Sequence, residues 1–191
     1  MASITIFGQG NMGSAIGKLF ENAGNAVSYI EAGDKGVNLG DIVVFAVPYP
    51  AVEGILSVYG DDLAGKILID ITNPVNFETF DDLVVPADSS ASAQIANQLK
   101  ETRVIKAFNT TFAATLASHK VADTVQTTVM MASDDAEAKA EVSQVLEGSG
   151  VRTLDAGSLK RARELEAFGF LQISLAAGEK ISWTGGFAIL D

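Results

Sequence analysis

Six residues near the start of the chain, Gly8-Gln9-Gly10-Asn11-Met12-Gly13, form a G-x-G-x-x-G string. It directly follows the β-prone run Ile4–Phe7 and opens a stretch of helical period, the context that makes such a string a dinucleotide signature. Each glycine has a task. Gly8 permits the tight turn, Gly10 removes a Cβ where main chain must approach a pyrophosphate, and Gly13 lets the helix pack close to the strand. Free amides at the helix start then face the phosphates, so an anion needs no local lysine. Glu31 stands 18 residues beyond Gly13, at the end of the second predicted strand, where such folds meet the adenosine ribose. A carboxylate there accepts hydrogen bonds from the 2′- and 3′-hydroxyls and repels a 2′-phosphate, which favours NAD over NADP. Lys35 is the nearby cation, offset by Glu31 and Asp34.

Two asparagines occupy predicted strand ends, in Asp70-Ile-Thr-Asn73-Pro74 and Lys106-Ala-Phe-Asn109. Ligands of doubly wound sheets bind outside the carboxyl ends of the strands, so both belong near the reacting ring. Pro74 keeps Asn73 out of the helical region and is expected to aim its amide over the crevice. Val47-Pro48 ends the third strand in the same way and could wall the other side.

Acid–base chemistry is thinly provided. His119, the one histidine, lies in a polar stretch, and no serine has the strand–elbow–helix setting of a nucleophile. With no cysteine, disulfides, thiolate nucleophiles and Cys-ligated metals are excluded. Reducing a ketone needs a proton donor tuned near neutrality. Hydride transfer to a flavin-like ring needs mostly stacking and alignment, because the cofactors carry the chemistry. The chain holds 13 Lys plus Arg against 24 Asp plus Glu, a net charge of -11, which argues against a nucleic-acid backbone as partner. No apolar run reaches the ~18 residues of a membrane span, and a cytoplasmic globule is expected.

The elements that must position these residues alternate. Ile4–Phe7, Ala26–Ile30, Ile42–Val47, Ile67–Ile71, Arg103–Ala107, Thr127–Met131 and Val151–Leu154 read as strands. Continuous apolar runs such as Ile42-Val-Val-Phe-Ala-Val suit strands buried on both faces. Met12, Ala15, Ile16, Leu19, Phe20 and Ala23 form one helical face, stopped at Gly24. A second such face, Ala138 to Leu146, precedes Gly148. This alternation predicts an α/β fold, a Rossmann-type doubly wound and mostly parallel sheet. Only about ten residues, Glu31 to Asp41, join the second and third strands, too few for the usual crossover helix. A single domain over 1–191 is expected, with 160–191 as a C-terminal helix plus strand extension. The apolar half of that helix, Ala167 to Ala177, must be buried on more than one side. It could pack on its own sheet, meet another subunit or wall a substrate pocket.

Taken in order, Gly8–Gly13, Asp41-Ile-Val-Val-Phe-Ala-Val-Pro48, Asp70-Ile-Thr-Asn-Pro74, Val104-Ile-Lys-Ala-Phe-Asn-Thr110 and Asp155-Ala-Gly-Ser-Leu-Lys-Arg-Ala-Arg-Glu-Leu-Glu166 resemble the motifs of the coenzyme F420-dependent NADP reductases. They also resemble the cytoplasmic domain of the STEAP metalloreductases. The resemblance covers nearly the whole chain. It implies hydride exchange between a nicotinamide and a flavin or deazaflavin stacked above it, usually in a homodimer. It places Gln9, Asn11 and Met12 at the pyrophosphate and Val47, Pro48, Asn73 and Ala107 around the nicotinamide. Phe108 and Asn109 would then lie nearest the second substrate. One departure matters: the family commonly carries Ser or Thr followed by Arg after the second strand, for the 2′-phosphate, whereas this chain has Glu31-Ala32-Gly33. Resemblance points to NADP and local charge to NAD. Three functions stay open at this stage: an oxidoreductase with a small acceptor, a non-catalytic dinucleotide-binding redox sensor, and a small ketone or imine reductase using His119 or Lys106 as proton donor.

Overall fold

A computed structural model describes residues 1–34 and 36–190; Lys35 and Asp191 lie outside the described residues. In chain order the elements are β1 (Ser3–Phe7), α1 (Asn11–Asn22), β2 (Ala26–Ile30), β3 (Ile42–Phe45), α2 (Val52–Tyr59), β4 (Ile67–Asp70), α3 (Ala91–Gln98) and β5 (Arg103–Lys106). There follow α4 (Ala113–Ser118), the two-residue strands β6 (Lys120–Val121) and β7 (Val125–Gln126), β8 (Thr128–Ala132), α5 (Ala136–Val145), β9 (Arg152–Gly157) and α6 (Ala162–Ala177). Seven strands form one sheet in the order β2-β1-β3-β4-β5-β8-β9. The first five are parallel, β8 pairs antiparallel with β5 through Lys106 and Ala132, and β9 is parallel to β8.

Alternation along each strand divides the core between the two faces of the sheet. Ile4, Ile6, Ile42, Val44, Ile67 and Ile69 pack with Ile16, Leu19 and Phe20 of α1 and with Ala138 and Val142 of α5. Phe7, Val43, Phe45 and Leu68 face the other way, onto Val52, Tyr59, Leu63 and Ile95. Strands β3 and β4 are buried at every residue, as their unbroken apolar runs require. β2, at the edge, is half-exposed. The segment from Glu31 to Asp41 holds no helix among its described residues, as its length demanded. It is tied down instead by polar contacts: the Gly40 amide donates to Thr5 Oγ1 at 2.9 Å, and the Lys66 ammonium to Leu39 O at 3.2 Å.

The C-terminal extension departs from expectation in one respect. α6 forms, but no strand follows it among the described residues; 178–190 run as turns and irregular chain. Beyond the end of α6, that segment is fastened to the rest of the fold through side chains and one main-chain bond instead of a ladder. Phe187 N donates to Gln172 Oε1 at 3.1 Å, Ala122 N donates to Thr184 O at 2.8 Å, and Trp183 meets Phe112 edge-on with ring centroids 4.9 Å apart. No helix among the described residues is long and apolar enough to cross a membrane.

Candidate functional site

The strand order reverses direction around β1: the chain leaves β1 to one side for β2 and returns to its other side for β3. The crevice at that switch point is where open α/β sheets bind ligands. Gly8 turns the chain there in a left-handed conformation, φ +92°, with its amide donating to Ile30 O at 3.0 Å. A Cβ on Gly8 would fall 2.6 Å from Ala46 O, and one on Gly13 would fall 2.0 Å from Gly8 O. Both positions are closed by main chain. A Cβ on Gly10 would meet nothing within 4 Å. Of the three motif glycines, Gly10 alone opens outward. α1 starts behind it without a side-chain cap and without an acidic residue in its first turn, so its amides and dipole present positive character to the crevice. Gln9, Gly10 and Asn11 are exposed on this lip, with Met12 half-buried.

Beside the turn, the Ile30 carbonyl that receives Gly8 leads into exposed Glu31. The loop beyond is ordered by its own polar groups. Glu31 N donates to Asp34 Oδ2 at 2.9 Å, and Tyr59 Oη donates to Asp34 O at 3.0 Å. Two carboxylates therefore share this corner, Asp34 engaged and Glu31 projecting. Lys35, the expected counter-charge, lies outside the described residues. On the other flank Val47 is half-buried against Gly8, and Pro48 is exposed at the end of β3.

The second group of expected residues is brought together, but in a different disposition. Asn73 Nδ2 donates to Asn109 O at 2.9 Å, while Asn109 Nδ2 donates to Asn73 Oδ1 at 2.9 Å and to Leu165 O at 2.8 Å. The Asn73 amide is thus spent on Asn109 and not aimed freely over the crevice. Gly169 of α6 lies directly on the pair, where a Cβ would come within 2.6 Å of Asn73 Oδ1. Phe108 turns its ring into the core. Its backbone adopts a left-handed φ of +60°, and its fully buried ring packs toward Phe20, centroids 6.5 Å apart. Ala107 is likewise buried at the end of β5.

Beneath the asparagines lies a buried charge network. Lys106 Nζ, 0% exposed, contacts Asp70 Oδ2 at 3.0 Å and Glu166 Oε1 at 2.9 Å, and also donates to Thr72 O. Ser92 Oγ donates to Asp70, and Glu166 accepts from the amides of Ala91 and Ser92 at the start of α3. Burial pushes the Glu166 carboxyl above its ordinary pKa, an effect opposed by the Lys106 ammonium and reinforced by Asp70. Burial also raises the pKa of nearby Tyr49, whose hydroxyl donates to Gln94 Oε1 at 2.9 Å. This network removes Lys106 from candidacy as a proton donor, since it is sealed from any ligand. His119 ends α4 in a left-handed conformation against Gly150. Sequence reasoning overlooked the network as a unit, although Asp70, Lys106 and Glu166 all stood inside the quoted motifs. Charged residues at the ends of otherwise apolar strands were the available signal.

No family model matches the chain. Over 150 residues, 76% of its length, it is 31% identical to the F420-dependent NADP reductase of Methanocaldococcus jannaschii. The chain spans just under two thirds, 66%, of the length of that relative. It is also 34% identical over 125 residues, 65% of the chain, to the metalloreductase STEAP3 of Rattus norvegicus, of which it covers 24%. A crystal structure assigned provisionally as an F420-dependent NADP reductase from Arthrobacter sp. FB24 superposes with a TM-score of 0.83 over 100% of both chains at 23% identity, a likeness of fold. The Rossmann-type fold, with its seven-stranded sheet, is therefore shared with that structure.

Proposed function

We propose that this protein is a nicotinamide-dinucleotide oxidoreductase that passes hydride between NAD(P)H and a small acceptor of the flavin or deazaflavin type. The observation that carries the reading is the glycine turn. Main chain closes the space at Gly8 and Gly13, while Gly10 opens beside the uncapped start of α1. That pattern fits a pyrophosphate and is not needed by a mere strand-to-helix turn. In this reading Gln9, Gly10, Asn11 and Met12 hold the pyrophosphate by main-chain donors, and Glu31 takes the ribose hydroxyls. Val47 and Pro48 wall the nicotinamide on one side. Ala107 and the Asn73–Asn109 pair form its floor on the other, acting through shape and main chain because the amides bond to each other. A bound dihydronicotinamide would supply the hydride. The chain's own residues orient the ring and exclude water, and Lys106 holds the floor in place from below.

Two finer points belong to the same proposal. Glu31 makes NAD the preferred dinucleotide, even though the archaeal relative is named for NADP. A 2′-phosphate beside Glu31 and Asp34 would need compensation that neither carboxylate offers. We also place the protein in the cytoplasm as a homodimer, as the resemblance implies. The test is anaerobic loss of nicotinamide absorbance with NADH or NADPH and FMN, riboflavin or a deazaflavin as acceptor, beside dinucleotide binding by Gly10→Val. Turnover in the wild type, with binding lost in the variant and the fold kept, is the expected result. Unchanged binding by Gly10→Val would overturn the reading. Binding without turnover on any acceptor would replace it with the redox-sensor reading.

A further inference from the structure

With no helix among the described residues between β2 and β3, the turn that carries Glu31 depends on other contacts for its place. Residues 31–34 close on themselves twice. Asp34 N donates to Glu31 O at 3.1 Å, with Gly33 in the left-handed conformation, φ +102°, that a type II turn requires at its third residue. Asp34 Oδ2 in return accepts from Glu31 N at 2.9 Å. These bonds fix the main chain of Glu31 and leave its side chain exposed.

The closed turn has one further anchor, and that anchor leads back to the glycine turn. Tyr59, the last residue of α2, is only 4% exposed, and its hydroxyl donates to Asp34 O, 25 positions away, at 3.0 Å. Its ring meets Phe7 edge-on, centroids 5.1 Å apart, and Phe7 meets Phe45 in the same way at 5.4 Å. Phe7 ends β1 and directly precedes Gly8. The Glu31 turn is therefore tied to the glycine turn by two routes. One is the Gly8 amide on Ile30 O, and the other runs through Phe7, Tyr59 and Asp34. Packing against Phe7 needs only the ring of Tyr59; the hydroxyl adds the bond to the turn.

We infer that Tyr59 and Asp34 are positioning residues for dinucleotide recognition, holding Glu31 at a set spacing from the glycine turn so that its carboxylate meets the adenosine ribose. The inference rests on the reading in which Glu31 takes the ribose hydroxyls, and names what fixes the NAD preference within it. Its physical ground is pre-organisation. A turn ordered before the ligand arrives loses little further freedom on binding. A carboxylate on a fixed turn also has less scope to swing away from a 2′-phosphate. Loosening the turn thus weakens NADH and relieves the repulsion of NADPH.

Fluorescence titration of the full chain with NADH and with NADPH reads this directly. Tyr59→Phe keeps the ring and removes the hydroxyl. It should lower the NADH-to-NADPH affinity ratio about three- to tenfold, the scale of one neutral hydrogen bond. Asp34→Ala and Asp34→Asn remove the same charge, but only the asparagine keeps an acceptor for Glu31 N. NADH binding should weaken in the first and hold in the second. In a Glu31→Ser background Tyr59→Phe should leave the ratio unchanged, because it acts through Glu31. Equal weakening of both dinucleotides by Tyr59→Phe would mark a merely structural role and overturn the inference. So would a shift of the same size with and without Glu31, or equal NADH affinity in the two Asp34 variants. If Glu31→Ser moves the ratio and Tyr59→Phe does not, the ribose role of Glu31 stands and the positioning alone is refuted. If Glu31→Ser leaves the ratio unmoved, the ribose role falls and the inference with it.

Discussion

Replacing Lys106 by methionine keeps most of the side chain's length and removes its charge. In the folded protein its ammonium touches two carboxylates, Asp70 at 3.0 Å and Glu166 at 2.9 Å, with all three side chains at most 1% exposed. Breaking a buried ion pair by deleting one partner costs about 3–5 kcal/mol, because the surviving charge stays desolvated. Two carboxylates survive here, but the Ser92 hydroxyl and the α3 amides still bond to them. A loss of about 3–4 kcal/mol is therefore expected near pH 8, a large share of the 5–15 kcal/mol typical of a whole domain. The pH dependence has a definite sign. Burial raises the folded pKa of Glu166, so the folded state keeps that proton after the unfolded chain has released it. The associated stability is complete below the ordinary carboxylate pKa and disappears as pH rises through the folded value. Lys106 pulls that folded value down; without it the value climbs, and Glu166 takes a proton more readily as pH falls. The penalty of Lys106→Met must therefore shrink between pH 8 and pH 5. Urea unfolding at both pH values, followed by far-ultraviolet circular dichroism, measures it. A loss below about 1 kcal/mol at pH 8, or an equal loss at both pH values, would refute a desolvated charge network.

Two further substitutions probe the upper layer. Gly169→Ala would stabilise an ordinary helix, yet here its methyl lies 2.7 Å from Asn109 O and 2.6 Å from Asn73 Oδ1. It should destabilise by about 1–3 kcal/mol, and a raised melting temperature would show that α6 can move off the asparagine pair. Glu31→Ser should shift the NAD-to-NADP affinity ratio toward NADP by about 1–2 kcal/mol, read by titration with each dinucleotide; an unchanged ratio would mean that Glu31 points away from the ribose.

The legible parts of this molecule were those written in local pattern. All seven strands of the main sheet stood out as short β-prone runs, and the central ones, such as Ile42–Phe45, are unbroken apolar stretches buried on both faces. The missing crossover helix followed from chain length alone. The glycine turn was legible for the same reason, its three glycines each answering a different steric demand. Less visible were α2 and α3, helices of eight residues each, too short to repeat a period clearly, and the two-residue strands β6 and β7. The bonding of Asn73 and Asn109 was not legible, because it depends on contacts far along the chain. Asn73 and Asn109 are 36 positions apart and bond to each other, and Asn109 reaches Leu165, 56 positions onward. The left-handed backbone of Phe108, which turns its ring inward, is likewise a feature that residue type does not announce.

The fastening of the C-terminal segment has a consequence for motion. β3 and β4 lie buried on both faces, and their amides can exchange with solvent only when the whole sheet comes apart. The segment after α6 hangs instead on the Gln172 amide, the Ala122–Thr184 bond and two aromatic contacts. Breaking those few links exposes little apolar surface and leaves the sheet intact. Release of that segment is thus a local fluctuation, decoupled from global unfolding, and its amides exchange at a rate set by that local equilibrium and not by the stability of the fold.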